Sequence, residues 1–262
     1  MEIREAIQRE LEKIEREKGV KILHAAESGS RAWGFASPDS DYDVRFVFVR
    51  PMADYLRINP PRDVIEWKLD EVLDINGWDL QKTMRQIAGG NPTVFEWDAS
   101  PIVYRTTPEW RKVIACSRAY FSEKHAVGHY YGTAMSTWAK HLTEDTVRYK
   151  KYFYALRPLL AAIYIEQAHQ IPPVLFSELL KMDMPGELRF AIDVLLERKK
   201  TTTEGERSPH IPEVRDFIRE ELERQKSLCA KLPEDRNPDW GAMNRCFAEI
   251  ILPEPEREEA RG

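Results

Sequence analysis

Ile3, Ile7, Leu11 and Ile14 recur at three- and four-residue intervals and predict an amphipathic helix over residues 2–18, which Gly19 ends. The apolar run Val20–Ala26 then predicts a first strand leading into Ser28-Gly29-Ser30, with Ser30 capping a short helix that reaches Trp33. Phe35–Ser40, with Pro38 and two serines, reads as a loop. Tyr42–Val49 alternates and is rich in β-branched and aromatic residues, which predicts a second strand stopped by Pro51. After the Pro60-Pro61 turn, Asp63–Leu69 and Val72–Asn76 predict a hairpin, with Asp70 and Glu71 as turn acids and Gly77 as a break. Asp79 is placed to cap a helix carrying Leu80, Met84 and Ile87, and Gly89-Gly90-Asn91-Pro92 ends that helix.

Past about residue 105 strand-like alternation gives way to long helical patterns, punctuated at Thr143-Glu144, Ile171-Pro172-Pro173, Pro185-Gly186 and Thr201–Pro212. Thr201–Pro209 is polar and reads as a flexible loop, and the charged Pro253–Gly262 reads as a frayed end. The division this suggests is an α/β core over residues 1–104 and a helical domain over residues 105–262, with a ligand cleft between them.

Composition narrows the functional classes. Hydrophobic residues make up 42 % and charged residues 32 % of the 262, as in a globular protein that buries a core, and no apolar run of about 18 residues is present to span a membrane. With an amphipathic start in place of a secretory signal, the expected location is the cytoplasm. A net charge of −5 runs against a large polyanion-binding surface, though a local basic groove on an acidic protein is compatible with it. Cys116, Cys229 and Cys246 form no CxxC pair and are expected as buried free thiols. The six histidines form no metalloprotease or deaminase pattern, and no Walker loop, Rossmann fingerprint or hydrolase elbow occurs.

The chemistry concentrates between residues 27 and 45. Gly29 allows the backbone to approach a polyanion, and Ser30 offers a hydroxyl at a helix start, where free N–H groups favour negative charge. In an extended strand alternate side chains share a face, so Asp41 and Asp43 project together and can hold divalent cations against a triphosphate. Arg45 shares their parity and can pair with a carboxylate or a phosphate. Arg31 lies beside them in sequence. Trp33 and Phe35 offer either packing or base-stacking surfaces. Asp74, an acid between Leu73 and Ile75, needs a reason to sit on a core strand. On a helix, Lys150, Tyr154 and Arg157 fall on one face, with Lys151 adjacent, and supply cations suited to phosphate.

The ordered set Gly29-Ser30…Asp41-x-Asp43 resembles the signature of the polymerase-β-type nucleotidyltransferase superfamily. The fuller string Gly29–Phe46, with Leu73–Lys82, Asn91–Trp97, Ser100–Tyr104, Lys150–Leu160 and Pro172-Pro173, resembles the YcgL-like family of predicted nucleotidyltransferases, which includes RNA-ligase-associated polymerases. The resemblance spans most of the chain. It implies an α+β fold, with an N-terminal polymerase-β-like core of mixed sheet flanked by helices and then an all-helical C-terminal domain.

It also implies transfer of an NMP from an NTP, ATP among them, to an acceptor hydroxyl, with two Mg²⁺ or Mn²⁺ ions. Asp41, Asp43 and a third carboxylate are the implied catalytic and metal residues; Asp74 is the first choice for the third and Asp79 the alternative. Gly29, Ser30, Arg31, Lys150, Lys151, Tyr154 and Arg157 are the expected nucleotide-binding set. An RNA 3′ end in repair is the acceptor the narrower branch implies. A protein or small-molecule acceptor, and a non-catalytic nucleotide-binding scaffold, are the competing readings. Asp98 and Thr83 depart from the family pattern, away from the proposed metal site.

Overall fold

The structure is a computed structural model that describes residues 3–37, 40–70, 72–201 and 207–252. Expectations resting on Met1, Glu2, Pro38, Glu71, residues 202–206 and Pro253–Gly262 lie outside them. The fold is mixed α and β, and the chain divides into two compact units. The first comprises residues 1–32, 41–121 and 236–262, and the second residues 33–40 and 122–235.

The first unit opens with α1 (Ile3–Lys18), β1 (Lys21–Glu27) and α2 (Gly29–Trp33), the last ending in the second unit. It continues through β2 (Tyr42–Val49), α3 (Met52–Tyr55), β3 (Val64–Leu69), β4 (Leu73–Asp79), α4 (Leu80–Ala88), α5 (Thr93–Asp98), β5 (Val103–Thr106) and α6 (Pro108–Ser117). The five strands form one mixed sheet in the order β3-β4-β2-β1-β5. β2 and β4 run parallel, while the β1–β2, β1–β5 and β3–β4 pairs are antiparallel.

Strand parity explains the layering. Ile7, Leu11 and Ile14 of α1 pack with Val44, Phe46 and Phe48 of β2 and Leu73 and Ile75 of β4 in one buried cluster. The other parity of β2 and β4 therefore faces the opposite side. There Trp78 packs on Trp97 of α5, and His24 stacks on Trp110 of α6. Asp43, Arg45 and Asp74 share that second face.

Gly77 does not break β4, contrary to the pattern-based expectation. The strand runs on to Asp79, because Gly77 lies opposite Phe46 and a Cβ there would stand 2.2 Å from the Phe46 ring. The glycine makes room for an aromatic ring on the neighbouring strand. β5, which the sequence reading does not predict despite its Val, Tyr and Thr, is added at the sheet edge.

The second unit contains α7 (Glu123–His141), β6 (Thr146–Val147), α8 (Lys150–Ala168), α9 (Phe176–Leu179), α10 (Gly186–Thr201), β7 (Ser208–Pro209) and α11 (Pro212–Lys231). It is helical apart from the two-residue β6–β7 ladder, a departure from the all-helical expectation. The final helix, α12 (Gly241–Ile251), belongs to the first unit, where the Tyr120 hydroxyl donates to the Asp239 carbonyl just ahead of it. Cys116, Cys229 and Cys246 are free thiols, half-buried on helix flanks instead of fully buried. No helix among the described residues is long and apolar enough to cross a membrane.

Candidate active site

The β1–β2 ladder does not stop where β1 ends. The Ser28 N–H donates to the Asp43 carbonyl at 2.8 Å, which brings the following glycine against the start of β2. Gly29 adopts φ +59°, a left-handed conformation that glycine takes at little cost. A Cβ placed on it would stand 2.0 Å from Asp43 Oδ2 and 3.0 Å from Asp43 Cγ. The glycine turn and the Asp43 carboxylate are thus in direct contact. Ser30, next in the turn, is buried.

Asp74 arrives from the neighbouring strand. In the parallel β2–β4 ladder Asp43 lies opposite Asp74. The Arg45 guanidinium reaches both: Nη2 is 3.0 Å from Asp43 Oδ1 and 2.6 Å from Asp74 Oδ2, and Nη1 donates to the Asp74 carbonyl at 2.9 Å. Of the two partners left open by strand parity, Arg45 therefore takes carboxylate. Asp41 precedes β2 and is exposed. Arg31 is fixed beside it, with Nε donating to the Asp41 carbonyl at 3.0 Å and the guanidinium 3.7 Å from the Tyr42 ring centroid.

The Asp43 carboxyl is pushed above its ordinary value of 3.8. Desolvation is the main cause; Arg45 and Arg31 oppose it, while Asp74 and Asp41 add to it. A carboxylate disfavoured by both burial and two like charges is one that a cation would stabilise. The oxygens of Asp41, Asp43 and Asp74 are not mutually within 4.8 Å. Among the described residues only His125, Glu234 and Asp235 form such a trio. That trio is occupied otherwise: Asp235 accepts from the Ser122 hydroxyl and from the Glu123 N–H at the start of α7, and His125 Nδ1 lies 2.9 Å from Ser122 Oγ. The separation of the three aspartates has an electrostatic reason, since like charges repel and the Arg45 fork stands between two of them.

Comparison with known proteins decides the family. The sequence profile of the RNA repair pathway DNA polymerase beta family matches residues 3–249. The chain belongs to that family. It is also 39 % identical over 246 residues to the uncharacterized protein YcgL of Bacillus subtilis (strain 168), a match that covers 92 % of this chain and 94 % of the relative.

Within this family member Asp79 and Asp74 have different surroundings. Asp79 is 4 % exposed and caps α4, accepting from the Gln81 N–H at 2.8 Å and from the Tyr55 hydroxyl at 3.0 Å, with Arg50 Nε 3.6 Å away. Burial pushes its carboxyl up, and the Gln81 and Tyr55 hydrogen bonds oppose the shift. It lies at the far end of β4 and shares parity with Leu73 and Ile75, whereas Asp74 takes the Asp43 face.

In the second unit α8 carries Lys150, Lys151, Tyr154 and Arg157. Tyr154 packs edge-on to Trp33 at 5.4 Å, the Lys151 ammonium lies 5.4 Å from the Tyr154 ring, and the Arg157 guanidinium lies 4.9 Å from the Trp33 ring. Arg157 is 2 % exposed, while Lys150, Lys151 and Tyr154 keep partial access to solvent. Phe35 stacks on Phe153 at 4.8 Å. Trp33, the last residue of α2, and Phe35 just after it therefore both pack within the second unit. The departures at Asp98 and Thr83 are local as well: Asp98 accepts from Trp110 Nε1 at 2.9 Å, and the buried Thr83 hydroxyl donates to the Asp79 carbonyl at 2.9 Å.

Sequence reasoning missed Glu27. Its side chain is 1 % exposed and accepts from the Asp43 N–H at 2.8 Å and from the Tyr104 hydroxyl. Its carbonyl accepts from the Ser100 hydroxyl at 2.7 Å. Desolvation pushes the Glu27 carboxyl up, against the Tyr104 and Asp43 hydrogen bonds. Glu27 thus anchors the backbone of Asp43 from beneath the sheet. An acid closing an apolar strand, immediately before Ser28-Gly29-Ser30, is a signal of the same kind that singles out Asp74.

Proposed function

We propose that this chain is a metal-dependent nucleotidyltransferase that transfers an NMP from an NTP to the 3′ hydroxyl of an RNA. The observation that carries this reading is the contact between the Gly29 turn and the Asp43 carboxylate, with Asp74 across the ladder. It puts a glycine-serine turn suited to phosphate beside the acids that would hold the accompanying cation.

The residues fit a hard divalent ion. Asp41, Asp43 and Asp74 supply only oxygen donors, the type Mg²⁺ and Mn²⁺ prefer. The missing Cβ of Gly29 makes room for Asp43 Oδ2 against the turn. When bound, two such ions would stabilise the charge on the phosphoryl oxygens and on the attacking and leaving oxygens.

The protein's own part is to position. Gly29 and Ser30 would cradle the phosphates, and Arg31, held on the Asp41 carbonyl, would add positive charge beside them. Asp74 would orient or deprotonate the acceptor hydroxyl as its oxygen attacks the α-phosphorus. The bond from that phosphorus to pyrophosphate breaks, and pyrophosphate leaves. Lys150, Lys151, Tyr154 and Arg157 are proposed as further nucleotide contacts on the strength of their chemistry and of the family resemblance. ATP is among the candidate donors.

The test is to incubate purified protein with each α-labelled NTP, Mg²⁺ or Mn²⁺, and an RNA bearing a free 3′ hydroxyl. Metal-dependent label in RNA, lost in Asp43→Asn, is the expected result. Label in protein or a small metabolite would move the acceptor, and no transfer with any NTP, acceptor or metal would overturn the reading.

A further inference from the structure

The second unit holds a small, strongly polar pocket to which none of the candidate carboxylates belongs. A cavity of about 160 Å³ is lined by His141 from the last turn of α7, Glu144, Arg148, Lys151 from the first turn of α8, and Arg207. The β6–β7 ladder, pairing Thr146 with Pro209 and Val147 with Ser208, ties the two stretches of chain together. Arg207 is fixed in plane: Nε donates to Thr146 Oγ1 at 2.9 Å, and Nη2 donates to the Thr146 carbonyl at 2.7 Å and to the Glu144 carboxylate. His210 holds the same corner, with Nε2 2.6 Å from the Glu144 carbonyl and Nδ1 2.6 Å from the Tyr152 hydroxyl.

The charge of this lining runs against that of the molecule. Arg148, Lys151 and Arg207 bring three cations to the described lining and Glu144, which Arg207 engages, one carboxylate, on a chain of net −5. His141 adds no charge at neutral pH. Desolvation, then the neighbouring Lys151, Lys140 and Arg148 cations, push its imidazole below the ordinary 6.5. The cavity is smaller than the roughly 300 Å³ at which pockets for whole drug-sized ligands begin, so it suits a group and not a nucleoside. Lysine supplies a compact charge and arginine a planar fork, the pair of donors that phosphate oxygens accept best. The start of the 19-residue α8 adds the positive end of a helix dipole.

We infer that this pocket receives a terminal phosphate, a phosphomonoester dianion carried either by an RNA end or by a free nucleotide. A terminal phosphate carries more charge and more free oxygens than an internal phosphodiester, and so gains more from a lining of Lys and Arg side chains. The pocket shares Lys151 with the proposed nucleotide contacts but uses none of Asp41, Asp43 and Asp74, so phosphate binding here and transfer there can be lost separately.

The test uses the full chain in metal-free buffer at neutral pH. Calorimetry with inorganic phosphate and AMP, and fluorescence polarisation with one RNA oligonucleotide ending in 5′-phosphate, 3′-phosphate or hydroxyl groups, are compared between wild type, Arg148→Gln and Arg148→Glu. Arg148 makes no ladder contact, so these variants leave β6–β7 in place. Phosphate affinity is expected to fall on the order of tenfold in Arg148→Gln and further in Arg148→Glu. The His141 imidazole, followed by NMR, is expected to titrate at higher pH once phosphate binds, because the dianion offsets the cations around it; a merely structural cluster would not respond. Tighter binding of a phosphorylated RNA end over its hydroxyl counterpart assigns the source to RNA, and discrimination for AMP alone assigns it to the nucleotide. Wild-type affinity in Arg148→Glu, or an unmoved His141 at saturating phosphate, overturns the inference. Asp43→Asn serves as the separating control: it should lose transfer and bind phosphate like wild type.

Discussion

Gly29 lies so close to Asp43 that a Cβ on the glycine would stand 2.0 Å from the aspartate Oδ2, and its φ of +59° would strain any L side chain besides. Two independent reasons therefore require glycine at this one position. Replacing it forces either the turn or the carboxylate to move.

Gly29→Ala is accordingly expected to destabilise the protein by at least about 1–2 kcal/mol from the left-handed backbone alone, and to reduce transfer by roughly a hundredfold or more. A double-mutant cycle separates the causes. In an Asp43→Ala background the steric part disappears and the backbone part stays, so urea denaturation should give a coupling of about 0.5–3 kcal/mol. Purely additive effects would mean that the two residues do not touch.

Asp43→Asn should cost about a thousandfold or more in turnover, because the charge that would hold the metal is gone. It should also stabilise the fold. The Asp43 carboxyl is raised above 3.8 in the native state, chiefly by desolvation, so the folded protein binds this proton more tightly than the unfolded chain does. The stability this group contributes is then fully present below the unfolded value and is lost as pH rises through the folded one. At pH 7 the ionised carboxylate works against folding, and asparagine should raise the Tm, a gain that fades as the pH falls toward the ordinary aspartate range. A lower Tm for the variant at pH 7 would contradict the assignment.

Arg45 bridges Asp43 and Asp74 with contacts of 3.0 and 2.6 Å, so it takes the part of a counter-ion where a divalent cation is expected. Arg45→Met removes that competitor. The expected outcome is a lower Tm without metal, as two carboxylates lose their partner, together with Mg²⁺ affinity raised roughly tenfold, read from the Tm against Mg²⁺ concentration. Equal Mg²⁺ affinity in variant and wild type would place the ion elsewhere.

Much of this site is legible in the residue string because its parts are local. Parity along one strand puts Asp43 and Arg45 on a common face, and an acid between Leu73 and Ile75 draws attention to Asp74 without any coordinates. The helix-capping role of Asp79 follows from what surrounds it in sequence. Other features depend on partners distant along the chain. Gly77 looks like a strand break until Phe46 is set opposite it, and β5 is too short to announce itself before β1 offers an edge. That α12 packs in the same unit as the sheet depends on contacts such as Tyr120 to Asp239, more than a hundred residues apart. No local pattern encodes them.

Glu27 is the most informative of these long-range cases, and its substitution tests how the candidate site is built. The side chain is 1 % exposed and satisfies two groups at once, the Asp43 N–H and the Tyr104 hydroxyl. Glu27→Ala would leave both without a partner in a buried setting, at about 1–3 kcal/mol for each unsatisfied group, so a total loss of about 2–6 kcal/mol is expected from urea denaturation. Glu27→Gln keeps an acceptor for the Asp43 N–H and a polar partner for Tyr104, and should lose less than half as much. Because the bond holds the backbone of a proposed metal ligand, activity should fall in both variants by more than the unfolded fraction accounts for, through kcat and with KM for the NTP little changed. If Glu27→Ala lowers stability while the folded fraction retains wild-type kcat, Glu27 is a prop for the sheet alone, and the position of Asp43 is set by the Gly29 turn and the Asp74 ladder without it.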